Sequence, residues 1–234
     1  MTADDIAYVP ETRFGIWFLS TDIWTTRVVR VALEDLARLI PNRRPSYPVL
    51  LDAGCGHGKS FRPLIEHFSP QRMIGIDAEA ECLHRAAAEA KNEHTPIELR
   101  RGDVADLELP DASVDLVFCH QTFHHLIRQE EALAQFHRVL KPGGLLLFAE
   151  STRAYIHSWI IRLLFRHPMH VQRSAEEYMA MVRAHGFAFE ASNVSFPYLW
   201  WSRPDLGAME WLGLRVPPRG EREETLINLA AVRA

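Results

Sequence analysis

The chain of 234 residues has only three cysteines, Cys55, Cys82 and Cys119. An odd number set so far apart makes a poor disulfide framework and fits a reducing compartment. No apolar run reaches the ~18 residues that a membrane span requires. The opening segment, MTADDIAYVPETRF, is acidic and lacks an early apolar core, so no signal peptide is expected. Positive charge is not in excess: 26 Lys+Arg stand against 30 Asp+Glu, a formal net charge of −4. The small pairs Arg43-Arg44 and Arg100-Arg101 are the exceptions to a lack of basic segments, and no N-P-P-Y-like run occurs. A nucleic-acid partner is therefore not expected. Internal repeats and low-complexity tracts are also missing. The chain is 47% hydrophobic and 24% charged, close to the globular average. It is long enough to bury a core without a metal or disulfide staple. These limits describe a globular, cytoplasmic protein.

Periodicity divides the chain into three parts of one domain. Residues 1–48 form an N-terminal helical cap, with Val28, Val29, Ala32, Leu33, Leu36, Leu39 and Ile40 at helical spacing between Thr26 and Ile40. Its end, PNRRPSYP, reads as a linker. Residues 49–150 alternate strand and helix: strands at 49–51, 73–76, 97–100, 114–119 and 145–148, with helices between. That alternation means a parallel sheet built from right-handed crossovers. Residues 151–234 hold an apolar helix at 153–166, a second helix at 175–184, and closing strands at 187–191 and 225–231. A Trp- and Pro-rich insertion, 196–220, lies between those strands. The expected fold is a Rossmann-like seven-stranded, mostly parallel α/β sheet sandwiched by helices, with a lid inserted after strand 5.

The turn after the first strand, Asp52-Ala53-Gly54-Cys55-Gly56-His57-Gly58, joins a strand to a helix start through glycines. This is the build of a nucleotide-cofactor site. Three readings compete. A dinucleotide fingerprint wants G-x-G-x-x-G, but Lys59 stands where the third glycine belongs. A P-loop nucleotide hydrolase could use Gly58-Lys59-Ser60, with Ala53 in place of its first glycine. Gly54 and Gly56 then have no role, and Asp52 is an odd neighbour for a triphosphate. The third reading is an adenosyl ligand without phosphates, whether turned over or only bound.

Five segments occur in order: Leu51–Gly58, Ile74-Gly75-Ile76-Asp77, Arg101-Gly102-Asp103-Val104, Val114-Asp115-Leu116-Val117-Phe118, and Arg138-Val139-Leu140-Lys141-Pro142-Gly143-Gly144. With them the chain resembles the class I S-adenosylmethionine-dependent methyltransferases, in the branch that includes ubiquinone/menaquinone-biosynthesis-like enzymes. The resemblance covers roughly residues 49–150. It implies S-adenosylmethionine as cofactor and S-adenosylhomocysteine as product. It implies cofactor contacts from Asp52, Gly54, Cys55, Gly56, His57, Gly58, Asp77, Ala78, Asp103, Val104 and His120. Of these, Asp77 would bind the ribose hydroxyls and Asp103 would face the adenine amino group, with Val104 beside it. The physical chemistry agrees, because a ligand carrying an ammonium and a sulfonium favours nearby carboxylates. Each carboxylate also has a plainer use: Asp52 and Asp77 as helix caps, Asp103 as a turn residue.

Twelve histidines invite a metal, but no H-E-x-x-H or C-x-x-C spacing supports one, and no metal is expected. His124 and His125 follow the fourth strand, where relatives face the methyl donor, and are candidate general bases. Aromatic residues concentrate in the cap and lid. Phe14, Trp17, Phe18, Tyr155, Trp159, Trp200 and Trp201 are the candidate walls for a small hydrophobic, aromatic or lipid-like acceptor. The 153–166 helix sets apolar bulk between Arg153, Arg162 and Arg166. It is a candidate for peripheral membrane contact. The oligomeric state is open.

Overall fold

The computed structural model describes Val9 and residues 12–234. Most of the acidic opening segment lies outside the described residues. In chain order the helices are α1 (Arg13–Leu19), α2 (Asp22–Trp24), α3 (Arg30–Leu39), α4 (Phe61–Phe68), α5 (Ala80–Ala90), α6 (Gln129–Val139), α7 (Arg153–Ile156), α8 (Trp159–Leu164), α9 (Ala175–Ala184) and α10 (Ala208–Trp211). The strands are β1 (Val49–Ala53), β2 (Arg72–Asp77), β3 (Ile97–Arg101), β4 (Val114–His120), β5 (Leu140–Ser151), β6 (Phe187–Ala188), β7 (Val194–Ser195) and β8 (Leu226–Arg233).

All strands form one sheet in the order β3-β2-β1-β4-β5-β8-β6, with β7 also paired to β8. The first five are parallel, and β8 runs antiparallel beside β5. Central strands covered on both faces must be apolar throughout rather than alternating. Accordingly, every residue of β4 is buried. The chain reverses direction across the sheet between β1 and β4. Their carboxyl ends therefore open a crevice at the topological switch point, where open α/β sheets bind ligands.

One core lies on each face. Leu33 and Leu36 of α3 pack with Phe61, Leu64 and Phe68 on one side. Leu133 and Phe136 of α6 pack with Tyr178 and Val182 of α9 on the other.

Three expectations need correction. The sheet has eight strands, because the seventh position is divided. β6 pairs Phe187 with Arg233, and β7 pairs Val194 with Leu229. Between them, a tight helical turn at Ala191–Asn193 is held by Asn193, whose Nδ2 donates to Leu39 O at 2.9 Å. The 153–166 segment is two short helices, broken where Ser158 turns extended at ψ 148°. The 26–40 helix begins as a wide π-helical turn at Thr25–Val29 before α3 takes over.

The cap is tied to the far edge of the sheet by Asp35 of α3. Its Oδ2 accepts from Asn228 Nδ2 at 2.8 Å and from the Ser195 hydroxyl. Its Oδ1 accepts from Arg38 at 2.9 Å. Burial works against the Asp35 charge, but these donors outweigh it and hold the carboxyl below its usual value. A group with a lowered folded pKa stabilises above its unfolded pKa and loses that contribution as pH falls. Asp35→Ala leaves buried Asn228 without its acceptor. It should cost about 1–3 kcal/mol in urea unfolding at pH 7, with the gap to the unsubstituted chain shrinking below about pH 4.

Candidate active site

β1 ends at Ala53, and the chain then turns through Gly54 and Gly56 at φ +80° and +51°. A side chain at Gly54 would have its Cβ 2.2 Å from the Thr122 methyl, so the loops after β1 and β4 meet here in a contact only glycine allows. A Cβ at Gly56 would meet nothing within 4 Å. That open face belongs to a cavity of about 160 Å³ lined by residues from the ends of β1, β2, β3 and β4.

Asp77 closes β2 into this cavity. Its Oδ2 accepts from Gly56 N at 2.8 Å and its Oδ1 from Glu79 N at 2.9 Å. Asp77 thus fixes the glycine loop from below and partly fills the capping role weighed for it, while its second lone pairs remain for ligand hydroxyls. Burial raises its pKa against those backbone donors. Asp52, almost fully buried, accepts from the hydroxyl of Ser60, the residue that precedes α4. Asp103 accepts from Ala105 N at 2.8 Å and from Arg128 at 2.7 Å. Cys55, His57, Ala78, Val104 and His120 line the same cavity. His57 buries both ring nitrogens, and His120 its Nε2, with no hydrogen-bond partner among the described residues. Burial lowers the His57 pKa and takes that of His120 down to about 3. Both rings are therefore neutral, polar and available to a ligand.

Gly58 is the exception among the expected cofactor contacts. It does not line the cavity; a Cβ there would strike the Phe61 ring at 2.6 Å, so this glycine serves packing of α4. Lys59 reaches the cavity wall with its stem, but its ammonium is paired with Glu89 of α5 at 2.7 Å. An arrangement that commits this lysine to a carboxylate does not favour the P-loop reading.

A second cavity, of about 300 Å³, lies under the cap and lid, and its walls are overwhelmingly apolar. Phe14, Phe18, Tyr155, Trp200 and Trp201 line it as expected. Trp17 and Trp159 do not. They are 57% and 64% exposed on the outer surface. Phe14 and Phe18 stand four apart and share one face of α1, which turns Trp17 outward. Trp159 is the first residue of α8, whose Ile160, Ile161 and Leu164 face the cavity instead. Leu19, Trp24, Gln121 and His125 line both cavities, so the two chambers meet there.

The polar end of the second cavity is a set of histidines. His124 Nδ1–H donates to Glu150 Oε2 at 2.7 Å. Glu150 ends the apolar run of β5 with no solvent exposure. Its other oxygen accepts from the backbone N–H groups of Thr122 and Phe123 at 2.9 and 2.8 Å. His125 and His167 close the group, with ring centroids 4.3, 5.1 and 4.7 Å apart around the three pairs. Burial, then the neighbouring histidines, pushes the His125 pKa well down and that of His167 to about 3. An imidazole aligned by a carboxylate can accept a proton. Neutral imidazoles in a group can also share a cation. Sequence spacing signals neither Glu150 nor His167. The nearest hint is a carboxylate ending an otherwise apolar central strand.

Comparison with known proteins agrees with this geometry. Residues 51–148 match the family model described as a methyltransferase domain. The chain is 30% identical over 111 residues to a fatty-acid O-methyltransferase of Mycolicibacterium smegmatis, covering 47% of this chain and 40% of that protein. It is 26% identical over 226 residues to a 24-methylenesterol C-methyltransferase of Oryza sativa subsp. japonica, covering 83% and 58%. The match spans only 29–50% of the length of the first few curated relatives. The solved S-adenosylmethionine-dependent methyltransferase of Mesorhizobium loti superposes with a TM-score of 0.61 at 22% identity, covering 86% of this chain and 96% of that one. The fold is thus the Rossmann-like α/β fold of such methyltransferases.

Asp52 yields a stability test. Burial pushes its pKa up to about 7, against the Ser60 hydroxyl and with help from the Asp77 charge. A raised folded pKa means that the folded protein holds the proton longer than the unfolded chain. The group's penalty therefore grows as pH rises from about 4 to 7 and is complete above. Asp52→Asn keeps an acceptor for Ser60 and removes that penalty. It should stabilise the protein more at pH 8 than at pH 5 in urea unfolding, by at most about 3 kcal/mol.

Proposed function

We propose that this protein transfers a methyl group from S-adenosylmethionine to a small apolar acceptor held in the cavity under the lid. The observation that carries this reading is the junction at Gln121 and His125. There, a polar chamber rich in carboxylates opens onto an apolar chamber closed by aromatic side chains. S-adenosylmethionine supplies, when bound, an electrophilic methyl group on a sulfonium. Asp77, already fixed by two backbone donors, would hold the ribose hydroxyls. Asp103 and Val104 would bound the adenine, and Asp52 with the glycine loop would face the cationic amino-acid end. The acceptor's nucleophilic atom would lie at the histidine end of the apolar cavity, where the cluster activates it and Glu150 positions His124. Transfer is an in-line displacement, so holding two reactants in line and apart from water supplies much of the rate. Relatives named for fatty-acid and methylenesterol methylation support an apolar acceptor. Quinone precursors and other hydrophobic phenols fit the same walls.

We further read the outer rim as a lipid contact. No described helix is long and apolar enough to cross a membrane. Yet Trp17 and Ile23 on the cap, Trp159 and Leu163 on α8, and Trp200 beyond it all expose more than half of their surface. Arg162 and Arg166 are exposed beside them. Large apolar side chains with basic neighbours suit an anionic bilayer surface, from which a hydrophobic acceptor could enter the cavity they flank.

Three experiments test these readings. In thermal shift, S-adenosylmethionine and S-adenosylhomocysteine should each stabilise the chain, by roughly 2.7 kcal/mol at 100 times the dissociation constant, and Mg-ATP should not. Calorimetry should show Asp77→Ala weakening S-adenosylhomocysteine at least tenfold, about 1.4 kcal/mol, while Lys59→Ala changes it little. Stabilisation by Mg-ATP alone would sink the methyltransferase reading. In co-sedimentation with anionic vesicles, the double substitution Trp159→Ala, Leu163→Ala should weaken binding at least tenfold, given ~1.5–3 kcal/mol per large buried side chain. Equal sedimentation of both forms would refute the lipid contact.

A further inference from the structure

We propose that His124, His125 and His167 bind a divalent transition-metal ion at the junction of the two cavities, with Glu150 as its outer carboxylate. One ring nitrogen from each histidine lies within 4.8 Å of the others. Three nitrogens around a tetrahedral ion at ~2.1 Å stand roughly 3.4 Å apart, so the rings need close by only about an ångström.

Four observations point to an ion rather than to ordinary packing. The first is the carboxylate behind His124. Metal-bound histidine usually donates its other ring N–H to a carboxylate, which fixes the tautomer and turns the free nitrogen to the metal. His124 does this with Glu150, leaving Nε2 for the ion. The second is hydrogen bonding. Among the described residues, no hydrogen bond reaches a ring nitrogen of His125 or His167, although both rings sit against an apolar cavity. Both residues are half-buried, which leaves their ring nitrogens open to a ligand in the cavity. A shared cation would engage both of them together with the remaining nitrogen of His124.

The third observation is preorganisation. His167 comes from the lid, over 40 residues away in sequence, and it is held in place. Gln172 Nε2 donates both to His124 O at 2.8 Å and to Pro168 O at 3.0 Å, clamping the lid segment to the histidine turn. Phe165 packs beside His167, with ring centroids 6.4 Å apart. The fourth is ligand count. Three protein ligands leave a coordination position free, as in catalytic rather than structural sites. All three histidines line the acceptor cavity, and His125 also lines the cofactor cavity. The free position would therefore take an oxygen or nitrogen of the acceptor. Imidazole donors suit Zn(II), Fe(II), Co(II) or Ni(II) over Mg(II) or Ca(II).

The ion's role in activating the acceptor rests on the function proposed above, but its binding does not. The full chain, stripped with chelator and dialysed, is titrated with Zn(II) by calorimetry, and with Co(II) by visible absorption. The expected result is one ion per chain, a Co(II) spectrum of low coordination number that Zn(II) displaces, and no comparable binding of Mg(II). His167→Ala and, separately, His125→Gln should each weaken Zn(II) at least 100-fold. S-adenosylhomocysteine should still shift the melting temperature of the His167→Ala form, which shows that the variant is folded. If that variant does not fold, His167→Gln replaces it. No binding by the unsubstituted chain, or binding that survives both substitutions, overturns the proposal. Zn(II) binding without any adenosyl-ligand shift would keep the ion site and count against the methyltransferase reading.

Discussion

The carboxylate of Glu150 holds the two halves of the site together. It stands at the end of a strand buried on both faces, where an unpaired charge would cost several kcal/mol. The protein meets that cost with donors from a single turn, the backbone N–H groups of Thr122 and Phe123 and the ring of His124. The turn after β4 can therefore hardly move without leaving a buried charge unpaired. Thr122 in turn lies on Gly54, to whose carbonyl its hydroxyl donates at 3.2 Å. One carboxylate thus sets the acceptor-side histidines directly and the cofactor loop through a single intervening side chain. Gln121, one residue earlier, adopts φ +51°, and its Oε1 accepts from the Ser151 hydroxyl at 2.5 Å. Backbone in this region is uncommon for a non-glycine residue. It persists here because neighbours on both sides over-determine it, at the point where the two cavities meet.

What could be read from the sequence follows the range over which each interaction acts. The glycine loop, Asp77 and Asp103 were legible because each sits at a strand end, and strand ends in a parallel sheet converge on one edge whatever the helices do. The parallel sheet and its two helical layers followed from alternation alone, whereas the strand order came only with the structure. Gly58 was misread because a motif records that a position needs glycine without saying why; here the reason is the Phe61 ring and not a ligand. Trp17 and Trp159 were misread because helical phase was unknown. A ring placed one position off the Phe14–Phe18 face points to solvent, and the break at Ser158 re-aims everything after it. Glu150 and His167 were invisible, because their partners lie far along the chain and no local spacing encodes them. The same reason defeats a metal search by spacing, because His167 lies on the lid, far along the chain from His124 and His125.

The two chambers also differ in charge, and the difference bears on turnover. The cofactor side holds Asp52, Asp77, Glu79 and Asp103 with few cations free to balance them, since Lys59 is bound to Glu89 and Arg128 to Asp103. Burial raises the pKa of Asp52 and Asp77, so the chamber works against ionisation of both. On the proposed function, a sulfonium ligand would offset that penalty with its own charge. On the same reading, the sulfur after transfer would be a neutral thioether, and the pull between ligand and carboxylates would fall away. Among the described residues, the second chamber has no such carboxylate cluster, and Arg27 is the charged residue on its wall. Its walls are overwhelmingly apolar, so a charged or strongly hydrated acceptor would pay its full desolvation cost there, whereas an apolar one would not. On the proposed function, a cation is drawn into one chamber and an uncharged hydrophobe into the other, and the reaction removes the charge that held the first in place.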